Sequence, residues 1–230
     1  MNVKDKVVIV TGGGSGMGAK TACHLSKAGA KVAILDAHRH AAETIAKECD
    51  SIAIECDVSI AESVQQALAQ VIIEFGALHV AINCAGIAPA ARIVSKKGPM
   101  PLDDFNRAIQ VNLVGTFNVM RLCAAQMIQQ EPLTEDGERG VLINTASIAA
   151  FEGQIGQSAY SASKGGIVAM TLPAARELSQ FGVRVMTISP GVVATPMMEE
   201  MPDVVAQSLV GAIPFPKRLG YASEYAELAQ

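Results

Sequence analysis

The segment from Val7 to Gly18, VVIVTGGGSGMG, decides the fold of this chain. Its four apolar residues in a row, bounded by Lys6 and Gly12, predict a strand that is buried on both faces. The glycines that follow predict a tight turn whose backbone N–H groups can approach a pyrophosphate, at the positive end of a helix dipole. A strand, a glycine-rich turn and a helix in this order favour a dinucleotide-binding α/β sheet.

Outward from this segment, apolar strands alternate with helices along the whole chain. Further strands are predicted at 31–36, 51–57, 78–85, 141–145 and 183–188, and helices at about 38–48, 60–75, 102–129 and from about 157. Such alternation predicts right-handed crossovers and a doubly wound parallel sheet of order 3-2-1-4-5-6. No linker divides the 230 residues, so we expect one α/β domain of the Rossmann type over residues 1–230.

The composition argues against several other classes of protein. A net charge of −4, with 4% aromatic residues and no Trp, disfavours a nucleic-acid-binding surface. No apolar run approaches the roughly 18 residues that a membrane span needs. The five cysteines are odd in number and lack metal-ligand spacing, and residues 1–6 do not resemble a targeting segment. We therefore expect no metal site and a reduced, cytoplasmic setting.

The residues at the carboxyl ends of the strands predict a site for NAD, because ligands of such sheets bind there. Asp36 ends the second strand, where a carboxylate accepts both ribose hydroxyls and repels a 2′-phosphate; Arg39 leaves NADP open. Asp57 ends the third strand and either accepts from the adenine amino group, with Val58 beside the ring, or caps the next helix. The predicted contacts up to this point are Gly12, Ser15, Gly16, Met17, Gly18, Asp36, Asp57, Val58, Asn83, Cys84, Ala85 and Gly86.

Tyr160 and Lys164 are the first candidates for catalysis. They lie four residues apart and so share one helix face, which continues through apolar residues and is expected to point inward. A lysine beside a phenol favours the phenolate and so moves the tyrosine pKa toward the working range of a general base. A helical tyrosine with a surface lysine is the alternative for this pair alone.

Ser147 and Asn112 extend this set. Ser147 follows the fifth strand, where its hydroxyl can hold a substrate oxygen near Tyr160 and Lys164. Asn112 interrupts an apolar stretch of the long fourth helix; it is either a buried amide satisfied by the backbone or an anchor for water in a proton relay.

Taken together, Thr11-Gly-x-x-x-Gly-x-Gly18, Asn83-x-Ala-Gly86, Ser147, Tyr160-x-x-x-Lys164 and Pro190-Gly191-x-x-x-Thr195 resemble the short-chain dehydrogenase/reductase superfamily over essentially the whole chain. The chain departs from that pattern at Cys84, where the superfamily most often has a second Asn. Stretches 144–154, 161–168, 170–176 and 214–220 are similar to the group of type-2 3-hydroxyacyl-CoA dehydrogenases, which includes the 17β-hydroxysteroid dehydrogenases of type 10.

This resemblance implies an NAD-dependent oxidation of a 3-hydroxyacyl-CoA to the 3-ketoacyl-CoA, in fatty acid metabolism. It implies Tyr160 as the base, Ser147 at the developing oxyanion, Lys164 at the nicotinamide ribose and Asn112 in a proton relay. The Pro190–Gly191 segment, with Val193 and Thr195, is implied at the carboxamide. Gln154 and Gln157 are further candidates for substrate contacts, and residues 192–215, with Met197, Met198, Met201 and Pro202, for an adaptable apolar lid.

Three alternatives remain open at this point. A 3-oxoacyl-carrier-protein reductase usually favours NADPH, against which Asp36 argues. A steroid or other secondary-alcohol dehydrogenase would use the same catalytic residues. A nucleotide-binding scaffold or complex subunit would need no turnover, and the intact set of Ser147, Tyr160 and Lys164 argues against it.

The resemblance also implies a homotetramer, and a homodimer is the simpler form. Its fourth and fifth helices are expected to pack between subunits. Small residues on the catalytic helix, Ser161, Gly165 and Ala169, would allow close helix packing, either within the subunit or between subunits.

The chain ends at Gln230 within a predicted helix, whereas the superfamily pattern continues into a seventh strand. We therefore expect an incomplete carboxyl-terminal end.

Overall fold

The structure, a computed structural model, describes residues 1–199, 210–211 and 213–230. Six of the strands in these ranges form the main sheet: β1 (Val7–Thr11), β2 (Lys31–Asp36), β3 (Ile52–Glu55), β4 (Val80–Asn83), β5 (Gly140–Thr145) and β6 (Val183–Ile188). Every pair is parallel, and the order is 3-2-1-4-5-6, which confirms the predicted topology.

The helices lie on both sides of this sheet. They are α1 (Gly16–Lys27), α2 (Arg39–Glu48), α3 (Ala61–Phe75), α4 (Leu102–Ala108), α5 (Gly115–Ile128), α6 (Ala149–Glu152), α7 (Ser158–Ser179), α8 (Pro196–Glu199) and α9 (Ala222–Ala229). Two short strand pairs complete the described structure: Val193–Ala194 with Gly220–Tyr221, and Val94–Ser95 with Gly98–Pro99. Within the described ranges, no helix is both long and apolar enough for a bilayer crossing.

The sheet separates two hydrophobic cores. Val7 and Ile9 of β1 point to one face, where they pack with α3, α5 and α7. Val8 and Val10 point to the other face and pack with α1, α2 and α9. Because both faces of β1 are covered, its sequence is continuously apolar rather than alternating.

The helix predicted over 102–129 is interrupted. A π-helical turn at Ile109–Val114 separates α4 from α5. A π turn holds more residues than an α turn, so the apolar spacing of an ordinary helix does not apply across it, and such turns are frequent at functional sites. Asn112 lies in this turn and is fully buried.

Candidate active site

The carboxyl ends of β1 to β4 open onto one cleft of about 580 Å³. Its wall contains residues that the sequence predicted as cofactor contacts: Gly12, Ser15, Gly16, Met17, Gly18, Asp36, Asp57, Val58, Cys84, Ala85, Gly86 and Thr195. Residues as far apart in the sequence as Gly12 and Thr195 are thus brought together at one edge of the sheet, as its topology requires.

The glycine-rich turn has no room for side chains at two of its positions. A Cβ atom on Gly18 would lie 2.2 Å from the carbonyl oxygen of Gly12, and one on Gly12 would lie 2.7 Å from the backbone of Ala85. Gly12 also has a positive φ of 63°, which favours glycine. The turn therefore lies close against the strand ends and leaves the start of α1 open to the cleft, a geometry that fits a pyrophosphate.

The carboxylate of Asp36 is held in place by two backbone groups. Its Oδ2 accepts a hydrogen bond from the N–H of Gly14 at 2.9 Å, and its Oδ1 accepts one from the N–H of His38 at 2.9 Å. Arg39 instead forms an ion pair with Glu43, at 2.8 Å, on the exposed side of α2. The negative charge of Asp36 therefore faces the cleft without a partner from Arg39.

Asp57 lies on the cleft wall and also shapes the turn before α3, but its side chain does not cap that helix, and its contact with an adenine stays a prediction. Its Oδ1 accepts from the N–H of Ser59 at 2.9 Å and from the Ser59 hydroxyl at 2.6 Å, an arrangement that shapes the turn before α3. The same residue lines the cleft beside Val58, whose carbonyl accepts from Asn118 Nδ2 at 2.9 Å.

Ser147 and Tyr160 face a smaller cavity of about 120 Å³, which Met17 of the cofactor cleft also lines. Lys164 lies one helical turn beyond Tyr160 and is buried, with its Nζ 5.7 Å from the centre of the Tyr160 ring. The Lys164 ammonium donates to the carbonyl oxygen of Thr145, at the end of β5, at 2.7 Å. The structure therefore brings the three predicted catalytic residues together and excludes a surface lysine.

Burial sets the pKa values of this pair. It lowers the pKa of Lys164 to about 8, and an electrostatic interaction with the neighbouring Cys84 opposes that shift in part. Burial also raises the pKa of the Tyr160 phenol, against the effect of the nearby Ser147 hydroxyl. The positive charge of a bound nicotinamide would favour the phenolate.

The amide of Asn112 is fully used by its neighbours. Its Oδ1 accepts from the N–H of Ile87 at 2.8 Å, while its Nδ2 donates to the Ile87 carbonyl at 2.9 Å and to the Ser163 hydroxyl at 3.0 Å. The side chain thus fixes the segment after β4 against α7. It also lies beside Gly86, where an added Cβ would be 3.1 Å from Asn112 Oδ1 and 3.7 Å from Lys164 Nζ.

This constellation agrees with what comparison with known proteins finds. Residues 6–205 match the family model described as short chain dehydrogenase. The chain belongs to the short chain dehydrogenase family. As a member, it is an oxidoreductase that uses a nicotinamide cofactor.

Among relatives of this short chain dehydrogenase, the human 3-hydroxyacyl-CoA dehydrogenase type-2 is 50% identical over 100% of this chain and 89% of its own length. The Drosophila melanogaster protein of the same name is 47% identical over 99% of this chain and 91% of its own length. The crystal structure of 3-hydroxyacyl-CoA dehydrogenase type-2 from Mycobacterium avium, 39% identical, superposes with a TM-score of 0.89 and covers 98% of this chain and 87% of that one.

Some predicted residues of this dehydrogenase lie behind the cleft walls rather than on them. Asn83 is buried and donates to Asn144 at 2.9 Å, and it supports the sheet edge. The Pro190 carbonyl accepts from the N–H of Ile148 at 3.0 Å, which holds the 190 segment beside Ser147.

Other cleft residues were not predicted. Arg107, Gln110 and Val111 line the cofactor cleft from α4 and the π turn. Their position depends on the wider turn, and no motif in the sequence marks it. The short chain dehydrogenase motifs therefore locate the strand side of the cleft better than its helix side.

A third cavity, of about 460 Å³, lies on the substrate side. It is lined mainly by apolar side chains and glycines, with an ion pair of Arg218 and Glu224 at 2.9 Å. Gln154, Gly191 and Val193 each line both this cavity and the one at Ser147. Gln157 lines only the cavity at Ser147, and its Oε1 accepts from the Gln154 N–H at 2.9 Å.

Of the predicted apolar lid, Met198 lines the cavity at Ser147, whereas Met201, Pro202 and the Met197 side chain lie outside what the structure describes.

Proposed function

We propose that this protein is an NAD-dependent dehydrogenase that oxidises a 3-hydroxyacyl-CoA to the 3-ketoacyl-CoA. The convergence of Ser147, Tyr160 and Lys164 beside the cofactor cleft carries the reaction class, a secondary alcohol and a ketone. The thioester rests on the relatives' names, and the cavity at Ser147 adjoins the larger one at Pro214, since both are lined by Ile148, Gln154 and Val193.

The chain's own residues supply the acid–base chemistry. The phenolate of Tyr160 takes the proton of the substrate hydroxyl, while the Ser147 hydroxyl donates to the same oxygen and stabilises its developing negative charge. The buried Lys164 ammonium favours the phenolate, because an opposite charge nearby lowers the pKa of the phenol. A bound nicotinamide would accept the hydride from the carbinol carbon, so that the alcohol loses one proton and one hydride.

Asn112 belongs to a relay that returns the proton of Tyr160 to solvent. Its amide is engaged by Ile87 and Ser163, so its part is to hold the segment after β4 against α7 rather than to carry a proton itself. Water beside Lys164 would complete the path.

The preference for NAD over NADP rests on Asp36. Its carboxylate is fixed by Gly14 and His38 and faces the position of the adenosine ribose. The Asp36 carboxylate would repel the 2′-phosphate of NADP. Arg39 would not offset this repulsion, because it is paired with Glu43. The remaining contacts proposed for the cofactor are the cleft residues, with Val193 and Thr195 at the carboxamide.

A panel of substrates tests the proposal. Oxidation rates are measured with a 3-hydroxybutyryl-CoA, the matching carrier-protein thioester and a 17β-hydroxysteroid, each with NAD and with NADP. We expect the highest kcat/KM for the CoA thioester with NAD. A higher value for the carrier-protein substrate with NADP would instead assign a biosynthetic reductase, and a higher value for the steroid a steroid dehydrogenase. No turnover of any alcohol would favour the scaffold.

We also propose that the protein is a homodimer or homotetramer. Phe117 on α5 is 51% exposed and Leu172 on α7 is 54% exposed, and the burial of such side chains in a subunit contact would be favourable. Of the predicted small residues on α7, Ser161 lies close to Gly153 of the same subunit, whereas a Cβ added to Gly165 would meet only the Ala150 carbonyl, at 3.9 Å, so that both α5 and α7 are candidate surfaces. Sedimentation of the wild type and of Phe117→Glu tests this, with a smaller species expected for the variant.

A further inference from the structure

Three side chains, the buried Thr145 and Tyr225 and the half-buried Cys84 of the cofactor cleft, form a closed ring of hydrogen bonds behind the catalytic residues. The Tyr225 hydroxyl, from α9, lies 2.6 Å from the Thr145 hydroxyl. The Thr145 hydroxyl donates to the Cys84 sulfur at 3.7 Å, and the Cys84 thiol donates to the Tyr225 oxygen at 3.7 Å. With Tyr225 donating to Thr145, each of the three groups donates once and accepts once, and such chains of hydrogen bonds strengthen one another.

Burial favours the protonated forms of the two ionisable members, Tyr225 and Cys84. It holds the pKa of Tyr225 well above its usual value and also raises the pKa of the Cys84 thiol. The Thr145 and Tyr225 side chains are each about 4% exposed. The ring is therefore a fixed part of the structure and not a surface contact.

Thr145 links this ring to the catalytic residues, because its hydroxyl and its backbone carbonyl bond to residues on opposite faces of the sheet. Its side chain points to the face that α9 covers, where Tyr225 packs with Val141 and Ile143. Its carbonyl accepts from Lys164, which reaches it from α7 on the other face. Thr145 is also the last residue of β5, two positions before Ser147.

We propose that Tyr225 is a positioning residue of this dehydrogenase: through the Thr145 hydroxyl it fixes the end of β5, and thereby the acceptor of Lys164 and the place of Ser147. This rests on the roles proposed above for Lys164 and Ser147. It also gives a reason for the departure from the superfamily pattern at Cys84. A thiol there accepts from Thr145 and donates to Tyr225, and so closes the ring.

The expected consequence is a change in the pH dependence of catalysis. Among the described residues, the ionisable groups near Lys164 are Cys84 from β4, Tyr160 from its own helix and, behind Thr145, Tyr225 from α9. No carboxylate is among them to hold the ammonium in place. If the end of β5 shifts, the ammonium is less well placed beside Tyr160, so the pKa of the phenol rises and alcohol oxidation needs a higher pH.

Tyr225→Phe tests the proposal, since it removes one oxygen and keeps the ring in the core. We expect kcat to fall about tenfold at neutral pH, with KM for the alcohol and Kd for NADH within about twofold of wild type. The midpoint of the rise of kcat with pH should move up. Thr145→Val should reproduce this effect, the double variant should be no worse than either single one, and Thr145→Ser, which keeps the hydroxyl, should restore the wild-type profile.

Tyr221→Phe is the matched control, because Tyr221 opens the same helix but is exposed, and it should behave as wild type. Thermal unfolding is recorded for every variant; if Tyr225→Phe does not fold, the pair Thr145→Val and Thr145→Ser decides. The proposal is overturned by an unchanged kcat in the folded variants, by a loss that is equal at every pH, or by effects that multiply in the double variant. The comparison runs on whichever alcohol the wild type oxidises best, so a wrong assignment of the CoA substrate shows separately.

Discussion

The cofactor cleft and the substrate-side cavity differ in what holds their polar groups in place. In the cofactor cleft, the carboxylates of Asp36 and Asp57 follow strands and are fixed by backbone N–H groups. On the substrate side, Gln154 and the pair of Arg218 and Glu224 lie on loops and at the start of a short helix. The sheet thus holds the residues that any substrate of this reaction would need, whereas the residues on the substrate side lie on loops, whose sequences vary more readily.

Removal of the proposed base, Tyr160, should give the largest loss of activity and leave cofactor binding unchanged. Tyr160→Phe should lower kcat about 10³-fold, since general acid–base catalysis supplies a factor of this order. Kd for NADH, measured by fluorescence titration, should stay within about twofold. If the variant kept more than a tenth of the wild-type rate, Tyr160 would not be the base. Tyr221→Phe, which removes an exposed phenol hydroxyl, is the control.

The next effect should be confined to the cofactor cleft. Asp36→Asn keeps an acceptor for Gly14 but removes the charge, so the ratio of kcat/KM for NAD to that for NADP should fall at least about tenfold. Arg39→Ala should leave the ratio unchanged, because Arg39 is paired with Glu43. A ratio that responds to Arg39 and not to Asp36 would reverse the assignment.

A smaller effect should separate stability from activity. Burial holds the pKa of Lys164 at about 8, below the ordinary 10.5. Between pH 8 and pH 10.5, Lys164 is therefore protonated in the unfolded chain but largely neutral in the folded protein. The wild-type free energy of unfolding should therefore rise with pH from about 8 to 10.5. Lys164→Met should be inactive yet more stable at pH 7 by about 1–2 kcal/mol, after allowance for the lost bond to Thr145.

Urea unfolding of the wild type and of Lys164→Met, at pH 7 and at pH 9.5, measures this difference. The advantage of the variant should shrink at the higher pH, where the wild-type lysine is neutral in the folded protein. A wild-type protein that is more stable than Lys164→Met at pH 7 would mean that the charged lysine stabilises the fold.

The smallest effect is expected on the substrate side. Gln154→Ala should raise KM for the acyl-CoA about threefold, which is a loss of less than 1 kcal/mol, and leave Kd for NADH unchanged. An exposed loop side chain that contributes one hydrogen bond accounts for no more than this. A change of 30-fold would show that the substrate cavity is as firmly organised as the cofactor cleft.

The strand side of the site was predictable because it depends on local sequence. Buried strands and the turns after them follow from short apolar runs and glycines, so the sheet order and the cleft residues from Gly12 to Gly86 could be placed. The ring of Cys84, Thr145 and Tyr225 could not be predicted, because its members are 61 and 80 residues apart and each has an ordinary local context. The π turn also escaped prediction, because its apolar residues fit an ordinary helix as well.

The π turn between α4 and α5 has the form that results when one residue is inserted into a continuous α-helix over residues 102–128. Removing one residue of the turn, such as Gln110, would let α4 and α5 join as a single α-helix. All of α4 would then rotate by about 100° relative to α5. Arg107 would leave the wall of the cofactor cleft while Phe117 kept its place on the outer surface. The geometry of the site and the outer face of this helix can therefore change independently of each other in evolution.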